Sequence, residues 1–177
     1  KSTFCRMILP EELLVYYTDR VDFAKRNDAV KALTRFLLVN IDEYDSISKR
    51  QTAFLKYMLS TADVKYRNLY ESIVQQHQRY AAFVATTNNP QPLTDSTGSR
   101  RYMCVQVNER IDTSATVDYP QLYAQAVAEI RAGMKTYFDN EDEQAIQISN
   151  GLFQQYDCID EIFSDMFHRP LKTEVAM

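Results

Sequence analysis

The chain has 177 residues, and its 45% hydrophobic content is enough for one ordinary core. The low counts of glycine (three) and proline (five) argue against a disordered or low-complexity chain. No apolar run approaches the roughly 20 residues of a membrane span, and the start lacks a charged-then-apolar leader. We therefore expect a soluble, cytoplasmic protein without a membrane partner. Cys5, Cys104 and Cys158 are odd in number and widely spaced, which predicts reduced thiols.

The net charge of −4 is unevenly distributed. Residues 139–165 carry eight acidic side chains and no basic one, so the rest of the chain is net basic. A polyanion could be attracted to that basic part and repelled by the acidic segment. Solvated faces of alternating sign explain the same charges equally well.

The first third of the chain contains short predicted elements. Residues 1–9 resemble the first turns of a helix that Pro10 ends. Weak alternation over residues 13–17 predicts a short strand, and Asn27 can cap a brief helix that runs to residue 33.

A nearly continuous apolar run at residues 36–41 ends abruptly at Asp42 and Glu43. A run of that length, buried on both faces, is typical of a central strand in a parallel sheet.

The middle of the chain alternates between predicted helices, strands and connections. Its predicted elements are a helix at 48–59 opened by a capping box, a basic connection at 61–70, a helical stretch at 71–78, a buried strand at 80–85, a loop at 91–99 and a loosely alternating strand at 101–107.

The last third is predicted to be helical. Asp118-Tyr119-Pro120 signals a helix start, apolar residues recur at helical spacing to Ile130, and Gly133 ends the helix. One or two more helices are expected within residues 141–167. This order predicts an α/β part at residues 1–115 and a C-terminal helical region at 116–177.

Three segments fall where an α/β sheet of parallel strands binds ligands, at the carboxyl ends of its strands. The first is Lys1-Ser2-Thr3 at the start of a helix. In the phosphate-binding motif G-x-x-x-x-G-K-[ST], the lysine reaches the phosphates and the next hydroxyl joins the Mg²⁺ shell. The glycine-rich half is missing here, so the tripeptide alone is also compatible with an ordinary helix start.

The second segment is the acidic pair after the apolar run. Asp42 can hold Mg²⁺ directly or through water, and Glu43 can orient or deprotonate an attacking water. A polar strand exit that faces a turn is the alternative interpretation.

The third segment joins Asn88, after the strand at 80–85, to Arg100 and Arg101. An amide beside a γ-phosphate can position water, and an arginine suits the charge that develops in phosphoryl transfer. Asn-Pro and Gly-Ser are also ordinary turn sequences, so the prediction depends on the order and spacing of the segments together.

Residues 36–45 (FLLVNIDEYD), 83–88 (FVATTN) and 93–107 (LTDSTGSRRYMCVQV), followed by residues 119–133, resemble the virulence-associated E family. That family is related to phage and plasmid primase-helicases of the superfamily-III, AAA+ type. The resemblance implies a P-loop NTPase sandwich with a mostly parallel sheet, Mg-ATP hydrolysis, oligomeric rings and single-stranded DNA as the partner.

The resemblance also implies roles for individual residues. Lys1, Ser2 and Thr3 match the end of the P-loop, with Ser2 on the metal side, and Asp42 and Glu43 match the acidic Walker B pair. Asn88 matches the sensor asparagine, and Arg100 or Arg101 is similar to the finger that completes a neighbouring subunit's site.

Lys65 and Arg67 lie between the acidic pair and the sensor, where such helicases place a DNA-facing hairpin. A plain surface turn explains them almost as well. The chain departs from the family pattern in lacking the first strand and the P-loop glycines, so we expect a fragment cut at the P-loop, with impaired nucleotide binding.

Two hypotheses of function follow. One is an ATP-hydrolysing AAA+ domain of a DNA helicase or primase-helicase from a phage or mobile element, with ATP and Mg²⁺ as cofactors. The other is a non-catalytic nucleic-acid-binding or assembly module with a vestigial or truncated ATP site.

Overall fold

The computed structural model describes residues 1–68, 71–95, 99–155 and 166. Three predictions fall outside the described residues: those for Cys158, for the loop at 96–98 and for a helix beyond residue 155. Of that last region, the structure describes Met166 alone.

The described part of the chain combines a small parallel sheet with five α-helices and a separate β-hairpin. The helices are α1 (Ser2–Arg6), α2 (Arg26–Arg35), α3 (Lys49–Ser60), α4 (Tyr119–Arg131) and α5 (Asn140–Asn150). The strands are β1 (Tyr17–Thr18), β2 (Leu38–Ile41), β3 (Asp63–Tyr66), β4 (Gln75–Gln78) and β5 (Ala82–Ala85).

The sheet has the order β1-β2-β5, and both strand pairs are parallel. All four residues of β2 are buried, which confirms the central strand predicted from the apolar run. The register pairs Leu38 with Ala82 and Ile41 with Ala85, so β2 and β5 end side by side. The α/β class with a mostly parallel sheet is therefore confirmed.

The main core lies on one face of this sheet. Alternation along β2 directs Val39 and Ile41 to the same face, where both belong to one buried cluster. The other buried members come mainly from α2, α3 and β3: Phe23, Ala29, Leu33, Phe54, Leu55, Met58, Val64 and Ala81. Sequestering these side chains from water is the main favourable term in folding.

The helix predictions of α3 and α4 are confirmed in detail. Ser48 is the N-cap of α3, and its backbone N–H donates to Gln51 Oε1 at 3.0 Å. The Asp118 side chain caps α4 by accepting from the Gln121 N–H at 3.0 Å. Gly133, with φ of 94°, follows the helix in the left-handed conformation that glycine adopts without strain.

Several local predictions are wrong. Residues 11–16 form a 3-10 helix, so the strand expected at 13–17 is reduced to β1. The connection predicted at 61–70 contains β3, and the predicted helical stretch at 71–78 contains β4. Residues 102–107 are irregular, because no strand in the described part of the chain pairs with them, so the alternation there did not form the third strand.

The predicted boundary at residue 115 stays a prediction, although contacts cross it. The Asn150 side chain, at the end of α5, donates to the carbonyl oxygens of Ser99 and Tyr102 at 2.8 and 2.7 Å. Tyr119 Oη, in α4, donates to the Met7 carbonyl at 2.6 Å. The helical residues after 115 are thus hydrogen-bonded to the sheet-containing part.

Candidate functional site

Polar side chains gather where β2 and β5 end. The register that pairs Ile41 with Ala85 sets the next residues, Asp42 and Thr86, beside each other. Backbone hydrogen bonds continue this alignment, since Thr86 N–H donates to the Ile41 carbonyl at 3.0 Å and Tyr44 N–H to the Thr86 carbonyl at 2.8 Å. The site is therefore built on paired backbone.

Asp42 is the centre of the cluster. Its Oδ1 accepts hydrogen bonds from Ser2 Oγ and from Thr86 Oγ1, both at 2.7 Å. These bonds, that from Thr86 foremost, lower the pKa of the Asp42 carboxyl because they favour its charged form. The Asp42 carboxylate is therefore ionised at neutral pH. Its Oδ1 faces the first turn of α1.

Lys1 lies beside the residues that follow β5. Its Nζ donates to Asn88 Oδ1 at 3.1 Å and to the Thr87 carbonyl. The structure thus brings Lys1, Ser2, Asp42 and Asn88 together, although they are separated by up to 87 positions.

Glu43 has an unusual backbone. Its φ of 53° and ψ of 63° make it the one non-glycine residue with positive φ in the described part of the chain. This left-handed conformation is costly for a residue with a Cβ, and such strain clusters at functional sites. Its side chain is exposed, so it is available to a ligand or to water.

The remaining predicted residues lie elsewhere. Thr3 is exposed in α1. Arg100 Nη1 pairs with Glu143 Oε2 at 2.7 Å, and Arg101 Nε donates to Ser60 Oγ at 2.7 Å. The structure therefore binds both arginines to helices of the same chain, and not to the Asp42 cluster.

Lys65 and Arg67 belong to the β-hairpin or its continuation. Lys65 is exposed in β3, paired with Gln76 of β4, and the exposed Arg67 follows the strand. Arg67 and Lys31 of α2 line an open groove of about 800 Å³ together with the acidic Asp28 and Glu71.

Sequence reasoning missed two contributors. Thr86 orients Asp42, and Asp45 accepts a hydrogen bond from Thr87 Oγ1. The threonine pair directly after β5 was a usable signal, because hydroxyls at the carboxyl ends of parallel strands face the same edge as Asp42.

The donor set of the cluster fits Mg²⁺. Within the described ranges, no group of three or more His, Cys, Asp and Glu side chains is placed to hold a metal. Mg²⁺ in phosphate chemistry, however, needs only one or two protein oxygen ligands besides water and substrate phosphates. The Ser2 hydroxyl and the Asp42 carboxylate, 2.7 Å apart, supply two such oxygens.

The fold and this cluster define a parallel α/β domain with a polar site at its strand ends. The sequence-family model of the virulence-associated protein E-like domain matches residues 1–155. The chain therefore belongs to that family. A comparison with curated proteins found no match. No helix in the described ranges combines the length and apolar character needed to cross a bilayer.

Proposed function

We propose that this chain supplies the ATP-hydrolysing site of an AAA+ motor of the phage and plasmid primase-helicase type, which acts on single-stranded DNA. The hydrogen bond from Ser2 Oγ to Asp42 Oδ1 carries the proposal. It joins a Lys-Ser pair that opens a helix to a carboxylate that ends a buried strand, and P-loop NTPases need this pairing of hydroxyl and acid.

Lys1, Ser2 and Asp42 would hold the nucleotide and its metal. The Lys1 ammonium suits the β- and γ-phosphates, and Ser2 and Asp42 would provide oxygen ligands to Mg²⁺. When bound, the metal neutralises charge on the phosphate oxygens. Thr86 keeps Asp42 oriented for this role and favours its charged form.

Glu43 and Asn88 would act on the attacking water. A carboxylate can orient or deprotonate that water, and a side-chain amide can position it. Both side chains are exposed at the same edge of the sheet. Arg100 or Arg101 would complete the site of a neighbouring subunit in a ring, where a guanidinium stabilises charge developing on the phosphoryl group.

ATP turnover of the intact natural protein, with and without single-stranded DNA, tests the proposal. Glu43→Gln should retain ATP binding and lower turnover by about 100-fold or more. Glu12→Gln, at an exposed glutamate of the 3-10 helix at 11–16, is the matched control and should leave turnover unchanged. Normal turnover in Glu43→Gln would exclude this role for Glu43.

A neighbouring-subunit arginine can be tested by mixing. A Glu43→Gln subunit keeps its arginines, whereas an Arg100→Ala or Arg101→Ala subunit keeps its glutamate. In a mixed ring, a site that takes its glutamate from the arginine variant and its arginine from a neighbouring Glu43→Gln subunit is therefore intact. Recovery of turnover on mixing with only one arginine variant would identify the finger, whereas no recovery with either would argue against a site shared between subunits.

The second candidate is a non-catalytic nucleic-acid-binding or assembly module. It is favoured by the cations Lys31, Lys65 and Arg67; the groove that Lys31 and Arg67 line also contains Asp28 and Glu71. Binding to DNA would then fall steeply with salt and ignore ATP, since it depends on release of counterions from phosphates. DNA binding that requires ATP would instead favour the motor.

A further inference from the structure

Glu43 is held between two anchored neighbours. Asp42 is fixed by the hydroxyls of Ser2 and Thr86. On the other side, the Tyr44 N–H donates to the Thr86 carbonyl, and the half-buried Tyr44 ring packs against the core. Because a left-handed glutamate persists only where its surroundings impose it, its backbone conformation depends on both anchors.

Tyr102 contacts the second anchor. The two tyrosine rings meet edge to face, with centroids 5.8 Å apart and planes at 74°. This geometry is favourable for aromatic pairs because the positive edge of one ring meets the negative face of the other. Tyr102 therefore helps to hold the residue that follows Glu43.

Tyr102 is itself attached to the turn that carries the two arginines. The Tyr102 N–H donates to the Ser99 carbonyl at 2.9 Å, which closes the 3-10 turn Ser99–Arg101. Asn150 is only 2% exposed, and its amide donates to carbonyls at both ends of this segment. The turn and the Tyr102 backbone are thus fixed as one unit.

A small void lies beside the ring pair. Its volume is about 10 Å³, and Lys56 and Asp95 line it together with both tyrosines. That is roughly the space for one water molecule.

We propose that Tyr102 is a positioning residue for ATP hydrolysis: through its edge-to-face contact with Tyr44, it transmits the position of the arginine-bearing turn to Glu43. The Tyr102 ring thereby links the turn that carries Arg100 and Arg101 to the tyrosine that follows Glu43. This inference rests on the proposed function.

Steady-state ATP kinetics of the intact protein test the proposal. Tyr102→Leu should lower kcat about tenfold and leave KM for ATP nearly unchanged, because water positioning and not nucleotide binding is affected. Tyr102→Phe keeps the ring and should retain wild-type kcat. Tyr102→Met is a second variant without a ring, in case the leucine variant fails to fold.

A double-mutant cycle separates positioning from a general structural defect. If Tyr102 acts through Glu43, Tyr102→Leu should cause little further loss of single-turnover rate in a Glu43→Gln background. Equal losses in both backgrounds, or wild-type kcat in folded Tyr102→Leu and Tyr102→Met proteins, would overturn the proposal.

The same experiment distinguishes this failure from failure of the proposed function. Turnover that Glu43→Gln abolishes but Tyr102→Leu leaves intact would refute only the role of Tyr102. Absence of ATP turnover in the wild-type protein would overturn the proposed function and this inference together.

Discussion

Thr86 Oγ1 donates a hydrogen bond to Asp42 Oδ1 at 2.7 Å, and this bond joins the ends of two neighbouring parallel strands. Ser2 Oγ donates to the same oxygen from the first turn of α1. Two strands and a helix therefore meet at one carboxylate oxygen, which explains why the pKa of Asp42 is lowered.

Thr86→Val should raise the pKa of Asp42 towards its ordinary value, because the first of its two hydroxyl donors is lost. The folded-state pKa lies below the unfolded one. The stabilisation is therefore fully present above the unfolded pKa and is lost as pH falls through the folded pKa. The stability difference between wild type and variant should accordingly shrink in acid.

Carboxyl NMR titration measures this shift directly. Ser114→Ala is the matched control, because Ser114 Oγ donates to Asp112 and that variant should change the titration of Asp112 alone. An Asp42 midpoint that stays the same in Thr86→Val would contradict the assigned cause.

The left-handed backbone of Glu43 predicts an order of stability at that position. The free energy of unfolding of Glu43→Gly should be about 1 kcal/mol higher than that of the wild type, because glycine adopts positive φ without a Cβ clash. Glu43→Val should be less stable than wild type, since a β-branched side chain tolerates this region worst.

Urea unfolding measures both variants. Glu12→Gly, in the 3-10 helix at 11–16, serves for comparison and should not stabilise the protein. If Glu43→Gly lowers the free energy of unfolding as much as Glu12→Gly does, the backbone of Glu43 is unstrained.

Arg79 is predicted to stabilise the end of α3. Its guanidinium donates to the carbonyls of Met58, Leu59 and Thr61 at 3.0, 2.8 and 3.2 Å. Arg79→Met should reduce the free energy of unfolding by about 2 to 3 kcal/mol, because these part-buried acceptors lose their charged donor. Chemical denaturation measures the loss.

Arg20→Met is the matched control for Arg79. The Arg20 side chain is 94% exposed and pairs weakly with Asp19 at 3.8 Å. It should change stability by about 0.5 kcal/mol or less. Equal effects of the two substitutions would refute the capping role of Arg79.

The stability of α5 should depend on pH in the acid range because of Asp139. Lys135 and the backbone N–H of Asp142 lower the pKa of Asp139 to about 2. Its charged form, which caps the helix, therefore contributes stability above the unfolded pKa, and this is lost as pH falls towards 2. Asp139→Asn should flatten this part of the pH profile, measured by helix circular dichroism, whereas an unchanged profile would assign the acid sensitivity to other groups.

Elements with strong local signals were predictable from the sequence. The apolar run before Asp42 specified a buried strand, and Ser48 with Gln51 marked the start of α3. The order of Lys1, Asp42 and Asn88 also placed one polar group at a helix start and two after strands. These signals are local because burial pattern and capping depend on residues only a few positions apart.

Elements that depend on a partner were not predictable. β4 is a polar run of glutamines and a histidine with no apolar alternation, and it is a strand because it pairs with β3. The apolar face of α4 shows the opposite case. Its helical spacing is clear, yet Leu122, Val127 and Ile130 are 49%, 45% and 53% exposed. The periodicity therefore predicted the helix correctly but did not predict whether its apolar face is buried.

The sequence by itself determined the central strand, the main helices and the residue types available for chemistry. Only the tertiary structure decided which of them meet. Strand register sets Thr86 beside Asp42, and α1 brings Ser2 to the same oxygen. Arg100 and Arg101 are instead bound to Glu143 and Ser60. The reason is physical: a side chain's type and local propensity are properties of the nearby chain, whereas its partners depend on pairing between segments far apart in sequence.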